Sequence, residues 1–162
     1  MVRPMDAAAL DFAVAAWREE GTWRAEALPA RDGTTIDGLT RSLQALPAES
    51  GAIALVSVAD DFFLILRVDG TGSRLLLSDA ATAHDWPLAA EALDELGLEL
   101  PDDEDVEEFE PAGDLGLLAD LGLPAAELSL LCQDGDKYPD EVLAAVAKQL
   151  HFGDQFDALF EN

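Results

Sequence analysis

Two apolar segments of strand length most constrain the fold of this chain. Residues Ala52 to Val58 and Phe62 to Val68 are almost continuously apolar, and the turn between them contains Asp60 and Asp61. Apolar runs of this length, bounded by turn residues, are typical of buried β-strands. We therefore expect the two segments to be neighbouring strands in the core of a β-sheet.

Further strands and one helix are predicted around this pair. Phe12 to Trp17 and Thr22 to Ala27 form an opening hairpin, and Arg74 to Ser78 completes a meander. Between them Thr35 can cap a helix that Pro47 stops. The apolar residues of this helix are Ile36, Leu39, Leu43 and Leu46. The order β-β-α-β-β-β predicts an α+β fold with an antiparallel sheet of about five strands, and we expect Trp23, Phe63 and Leu77 in its core.

The second half of the chain changes to helical periodicity. A helix is expected from Pro87 to Leu96 with Gly97 as its C′ residue, and short helices near Asp114, Pro124, Pro139 and Asp154, with Gly153 ending the Pro139 helix. We expect an antiparallel sheet with packed helices in residues 1–100, an acidic linker in residues 101–111, and a helical segment in residues 112–162 that packs on the same domain.

The negative charge of the chain is unevenly distributed. The formal net charge is −25, and residues 82–162 contain only two basic residues, Lys137 and Lys148. The densest acidic segment comprises Asp102, Asp103, Glu104, Asp105, Glu107, Glu108 and Glu110. Nucleic-acid binding depends on Lys and Arg displacing counterions, so direct binding to nucleic acid is not expected. An acidic surface attracts cationic partners instead.

Catalytic and metal-binding patterns are weak. Ser78, Asp79 and His84 are residue types of a hydrolytic triad, but the chain has no Gly-x-Ser-x-Gly motif. The sequence Asp134-Gly135-Asp136 begins like a calcium loop, yet Pro139 stands where that loop requires glycine. The single cysteine, Cys132, lies in an apolar run and is expected to be a buried, unreactive side chain. We expect no metal site, no cofactor and no enzymatic activity.

Four groups of residues together carry a recognisable pattern. They are Arg67-Val68-Asp69; Leu76-Leu77-Ser78-Asp79-Ala80-Ala81; Pro111-Ala112-Gly113-Asp114-Leu115 with Leu118-Ala119-Asp120-Leu121-Gly122; and Tyr138-Pro139-Asp140-Glu141 leading to Leu150 and Phe152. From about Phe12 onward the chain resembles the actinobacterial tRNA adenosine deaminase-associated proteins. The resemblance implies an association with a tRNA-editing deaminase and implies no catalytic residue.

The chain is not itself expected to be the deaminase. Zinc deaminases use a His-x-Glu and a Pro-Cys-x-x-Cys motif to hold the metal that activates water. The corresponding residue types here are only His84-Asp85-Trp86 and the lone Cys132.

These observations lead to three functional hypotheses. The first is an acidic, non-enzymatic accessory protein that binds a basic partner, such as a tRNA adenosine deaminase, through the acidic segment from Asp102 to Glu110. The alternative is an inhibitor or immunity-like protein that neutralises a basic nuclease or toxin, and the third is an unrecognised enzyme. No apolar run reaches the ~20 residues of a membrane span, so a cytoplasmic protein is expected.

Overall fold

The computed structural model describes residues 10–46, 51–99, 111–134 and 137–160, and it contains a six-stranded sheet in the order β2-β1-β3-β4-β5-β6. Every neighbouring pair of strands is antiparallel. The strands are β1 Leu10–Glu19, β2 Thr22–Ala27, β3 Ala52–Val58, β4 Phe62–Asp69, β5 Gly72–Leu77 and β6 Ala112–Gly113. The helices are α1 Ile36–Gln44, α2 Pro87–Glu95, α3 Ala125–Cys132, α4 Pro139–Gln149 and α5 Gly153–Ala158. The expected α+β fold with an antiparallel sheet is confirmed.

Helices cover both faces of the sheet, which explains the continuous apolar strands. Successive side chains of a strand point to opposite faces. On β3, Ala54 and Val56 therefore face the core beneath α1 and α2. Ile53 and Leu55 face the core beneath α3, α4 and α5. Antiparallel sheets commonly leave one face in water, and their strands then alternate between apolar and polar residues. β3 and β4 do not alternate, because a second helical layer covers the other face of the sheet.

The first helical layer follows its sequence signals closely. Thr35 caps α1, since its hydroxyl oxygen accepts a hydrogen bond from the Gly38 N–H at 2.9 Å. Gly97 follows α2 with a φ of 71°. The Leu98 N–H donates to the Leu93 carbonyl, which satisfies the end of the helix. The two caps supply hydrogen-bond partners to a backbone N–H at the start of α1 and to a backbone carbonyl at the end of α2, groups that have no partner within their own helix.

A buried arginine joins the sheet to the second helical layer. Arg67 on β4 is 3% exposed, and its guanidinium donates to the Leu117 carbonyl at 2.8 Å and to both carboxylate oxygens of Asp120. This forked geometry matches a planar guanidinium to a carboxylate. The ion pair therefore holds the segment after β6 against the sheet. Two of the sequence motifs, Arg67-Val68-Asp69 and Leu118 to Gly122, meet in this contact.

Four details differ from the sequence expectations. No α-helix begins near Asp114, where the chain instead forms a turn followed by the short 3₁₀ helix Ala119–Leu121. The sheet has a sixth strand, β6, which is too short to show a strand pattern in the sequence. Helix α4 ends at Gln149 rather than at Gly153, because His151 takes the left-handed conformation with a φ of 76° and the Phe152 N–H bonds the Ala147 carbonyl. Phe63 and Leu77 are buried as expected, whereas Trp23 is only half-buried against Phe152.

Candidate acidic binding site

Two adjoining concavities lie where the β3–β4 turn meets the start of α4. One is a cavity of about 360 Å³ and the other a groove of about 520 Å³, and Asp60 lines both. Seven carboxylates border them, with Lys137 as the cationic residue among the described lining side chains. We call this region the acidic end; its carboxylates are those of Asp11, Asp60, Asp61, Asp79, Asp134, Asp140 and Glu141.

The β3–β4 turn carries two of these carboxylates, Asp60 and Asp61, and two of its residues have a backbone conformation that L-residues rarely adopt. Ala59 and Asp60 have φ values of 51° and 55°, and the Asp61 N–H donates to the Val58 carbonyl at 2.8 Å. Positive φ at both central residues is the geometry of a type I′ turn, in which Asn-Gly is preferred. The turn therefore places the side chains of Asp60 and Asp61 at the acidic end despite the steric cost at Ala59.

Aromatic side chains line the groove. Phe12 of β1 lies 5.7 Å from Phe156 and 5.1 Å from Phe160, measured between ring centroids, and Phe156 lies 5.1 Å from Phe160. Phe156 is buried, while Phe160 is 49% exposed. The groove thus combines an apolar wall with the carboxylates of Asp11, Asp60, Asp140 and Glu141.

The carboxylates around the groove repel one another. The negative charge of Asp11 raises the pKa of Asp60, with smaller contributions from desolvation and from Asp140. Asp11 is fixed in this arrangement, since its carboxylate accepts hydrogen bonds from the Ser57 hydroxyl and the Asp60 N–H, both at 2.9 Å. A raised carboxylate pKa indicates negative charge that nearby cations do not balance. Binding a cation here would relieve that repulsion.

The cavity on the other side of Asp60 is built largely from side chains that already have structural roles. The Ser78 hydroxyl oxygen accepts a hydrogen bond from the buried Phe63 N–H at 2.9 Å. Asp79 caps the 3₁₀ turn Ala80–His84 through the Ala81 N–H. Asp61 accepts a hydrogen bond from the Trp86 indole N–H at 2.6 Å. These groups hold the walls of the cavity in place.

The residues of the hydrolytic pattern line two different concavities. Ser78 lines this cavity, whereas His84 lines a separate depression beside α2. Cys132 is buried, as expected, and desolvation raises its pKa to about 12, so the thiolate is disfavoured at neutral pH. Within the described ranges no group of three or more His, Cys, Asp or Glu side chains could hold a metal ion.

The acidic segment predicted as the partner-binding site lies outside the described residues. It comprises Asp102, Asp103, Glu104, Asp105, Glu107, Glu108 and Glu110, and in the sequence it connects α2 to β6. Of the calcium-like tripeptide, Asp134 is among the described residues, whereas Gly135 and Asp136 lie outside them.

The acidic end is not predicted by any pattern in the sequence. Its carboxylates come from β1, the β3–β4 turn, the end of β5 and the residues around the start of α4, so no local pattern joins them. The i, i+4 spacing of Phe156 and Phe160 in the sequence predicts that their rings lie on one side of the chain, and it is the sequence signal available for the groove, although Phe160 lies just beyond α5. The Tyr138-Pro139-Asp140-Glu141 motif also borders the acidic end.

Comparison with known proteins identifies relatives of this chain. A family model described as "Rv3753c-like tRNA adenosine deaminase-associated protein" matches residues 11–153. The chain is 40% identical over 164 residues to Protein Rv3753c of Mycobacterium tuberculosis, and the alignment covers 100% of this chain and 94% of that relative. No solved structure matches significantly. None of the helices in the described part of the chain is long and apolar enough to cross a membrane.

Proposed function

The chain belongs to the Rv3753c-like family of tRNA adenosine deaminase-associated proteins, and from this premise we propose that it is a non-enzymatic, cytoplasmic accessory protein that binds a basic protein partner. The first candidate for the partner is a tRNA adenosine deaminase. Such an enzyme must present cationic groups to the tRNA backbone. An acidic protein can occupy those groups and so compete with RNA.

The acidic end is the observation that carries this proposal. Seven carboxylates from separate parts of the chain border two adjoining concavities, with Lys137 as their cationic neighbour among the described lining residues. Clustered charges of one sign increase the rate at which a partner of opposite charge is captured. The acidic segment from Asp102 to Glu110 would add to the same field, and we propose it as a further contact surface.

The roles of the polar side chains favour binding over catalysis. Ser78 and Asp79 are engaged in hydrogen bonds that support the fold. Burial keeps Cys132 protonated at neutral pH. A nucleophile needs an adjacent base or a lowered pKa. The pKa of Cys132 is raised instead, and the Ser78 hydroxyl oxygen is already the acceptor of a backbone hydrogen bond.

Association kinetics with the purified deaminase from the same organism test the proposal. We expect binding whose association rate falls as salt is added, because salt screens exposed charges. A basic ribonuclease of similar size serves as the comparison partner. Preferential binding to the ribonuclease would favour the inhibitor alternative, and no binding to either protein at low ionic strength would contradict the proposal.

A matched pair of charge variants tests where the contact lies. In the first variant Asp102, Asp103, Glu104, Asp105, Glu107 and Glu108 become Asn or Gln. In the second, the same number of exposed carboxylates away from the acidic end are neutralised: Glu20, Glu26, Asp37, Asp94, Glu95 and Glu127. We expect association at low ionic strength to slow about tenfold in the first variant and much less in the second. Equal slowing would assign the effect to net charge alone.

A further inference from the structure

The groove of the acidic end has features that suit one kind of ligand. Its apolar side is formed by the rings of Phe12, Phe156 and Phe160, and the exposed ring of Phe160 is accessible from solvent. The faces of aromatic rings carry negative electrostatic potential and attract cations. A cationic group in the groove would therefore contact an aromatic surface and carboxylates at the same time.

The carboxylates around the groove select a cation and exclude an anion. Asp11, Asp60, Asp140 and Glu141 line it, and no Lys or Arg stands among its described lining residues. The repulsion between Asp60 and its neighbours Asp11 and Asp140 is relieved when a positive charge enters. The carboxylates surround the groove without forming a cluster able to hold a metal ion within the described ranges. This arrangement suits an extended organic cation.

Arginine fits these features better than lysine. Its planar guanidinium stacks on aromatic rings and donates to carboxylates in a forked geometry, whereas a lysine ammonium is a compact, strongly hydrated charge. The chain already uses the forked geometry internally, between Arg67 and Asp120. A second copy of this chain is a poor occupant, since each copy carries a net charge of −25 and the two would repel.

We propose that the groove formed by Phe12, Phe156 and Phe160 and bordered by Asp11, Asp60, Asp140 and Glu141 binds an arginine side chain presented by the basic partner. This inference rests on the proposed function and specifies the chemistry of the contact. The Phe160 ring stacks on the guanidinium, and the carboxylates of Asp140 and Glu141 at the start of α4 accept its hydrogen bonds.

Titration with short synthetic peptides tests the site directly. Three peptides share one neutral sequence and carry Arg, Lys or Gln at the same positions, and binding is followed by amide chemical shifts of the full chain. We expect the Arg peptide to bind most tightly and to shift the amides around Phe12, Asp60, Glu141 and Phe160. Equal binding of the Arg and Gln peptides would overturn the proposal. Equal binding of the Arg and Lys peptides would overturn the assignment to arginine.

Matched variants separate the groove from the overall charge. We expect Phe160→Ala and Glu141→Gln each to weaken Arg-peptide binding by about three- to tenfold, because each removes one direct contact to the cation. The controls are Leu130→Ala and Glu127→Gln, which change an exposed apolar and an exposed acidic residue of α3 outside the groove. Equal effects in groove variants and controls would contradict a defined site.

Two further measurements distinguish the occupant and the function. Arg3 precedes β1 in the sequence and is a competing candidate for the groove. If an Arg3→Gln variant binds the peptide more tightly, the chain's own arginine is the occupant, and the assignment to a partner is overturned. Deaminase binding that Phe160→Ala leaves unchanged would refute the groove contact while the proposed function stands. Peptide binding at the groove without deaminase binding would refute the proposed function alone.

Discussion

At the scale of single residues, the ion pair of Arg67 and Asp120 shows how this chain accommodates a buried charge. Arg67 is 3% exposed, while the Asp120 side chain is 59% exposed and can keep part of its hydration. Its hydrogen bonds with Arg67 lower the pKa of Asp120. Burying a charge is costly unless it is paired and hydrogen-bonded, and the Leu117 carbonyl accepts a further hydrogen bond from the guanidinium. The strand therefore tolerates a charged residue within an apolar core.

We expect Asp120→Asn to lower the free energy of unfolding by about 1–2 kcal/mol at neutral pH, less than for a fully buried pair because Asp120 is largely exposed. A lowered carboxylate pKa stabilises the fold above the pKa of the unfolded chain, and this stabilisation is lost as pH falls through the folded pKa. Wild type and variant should thus converge in acid. Urea unfolding across a pH series measures this.

Glu19→Gln is the control for this prediction. It breaks the ion pair of Arg24 and Glu19, in which both side chains are well exposed. Exposed pairs contribute between zero and about 1 kcal/mol. If Glu19→Gln destabilises the protein as much as Asp120→Asn does, the Arg67 pair has no special role in joining the two layers.

At the scale of secondary-structure elements, strand β6 depends on one glycine. Gly113 has a φ of 116°, and a Cβ atom at this position would lie 2.2 Å from the Leu75 carbonyl oxygen of β5. That same oxygen accepts the hydrogen bond of the Asp114 N–H at 3.0 Å. The backbones of β5 and β6 approach so closely only because residue 113 has no side chain. The glycine of the Pro111 to Leu115 motif is therefore explained by the close approach of β6 to β5.

Gly113→Ala is expected to destabilise the protein more than Gly122→Ala. Both glycines have a φ of 116°, but a Cβ at Gly122 would meet no atom within 4 Å. The backbone conformation alone costs an L-residue about 1–2 kcal/mol, so both variants lose that amount. We expect Gly113→Ala to lose at least about 1 kcal/mol more.

Hydrogen exchange gives an independent readout of the same prediction. The Asp114 amide should exchange faster in Gly113→Ala, because the new methyl group displaces β6 from the Leu75 carbonyl, and should be unaffected in Gly122→Ala. Equal losses of unfolding free energy with unchanged exchange at Asp114 would contradict the close approach.

At the scale of the whole molecule, negative charge opposes compaction. The net charge is −25, and the fold brings several carboxylates together at the acidic end. Repulsion from Asp11 raises the pKa of Asp60, and desolvation raises the pKa of Glu91 on α2. Repulsion between carboxylates destabilises the folded state and is screened by salt.

We expect the unfolding temperature to rise when salt is added and when pH is lowered modestly from neutrality. A carboxylate whose folded pKa is raised binds its proton more readily in the folded state, so stability increases as pH falls through that pKa. At lower pH, Asp69 and Asp120 have lowered pKa values and lose their stabilising interactions on protonation. Stability should therefore be greatest in mildly acidic solution.

Calorimetry over a grid of pH and sodium chloride concentration measures this behaviour. A neutral osmolyte such as sucrose serves as the control, since it stabilises compact states without screening charge. If the unfolding temperature is insensitive to salt at neutral pH, self-repulsion is not a significant term in the stability of this protein.

The amino-acid sequence determined the local elements and the family. The strands β2 and β3 match the predicted segments throughout, and Thr35 and Gly97 stand where the caps of α1 and α2 are observed. These signals are local, because strand runs, caps and turns depend on residues close in the sequence. The family that the motifs suggested is confirmed by the comparisons.

Only the tertiary structure decided which distant residues meet. The second helical layer, the partner of Arg67, the pairing of β6 and the groove between Phe12 and Phe160 all join segments far apart in the chain. Such contacts follow from how amphipathic faces pack together, and the periodicity of one segment does not show which other segment it meets. The sequence determined the elements and the net charge, and packing determined where that charge surrounds a groove lined by aromatic rings.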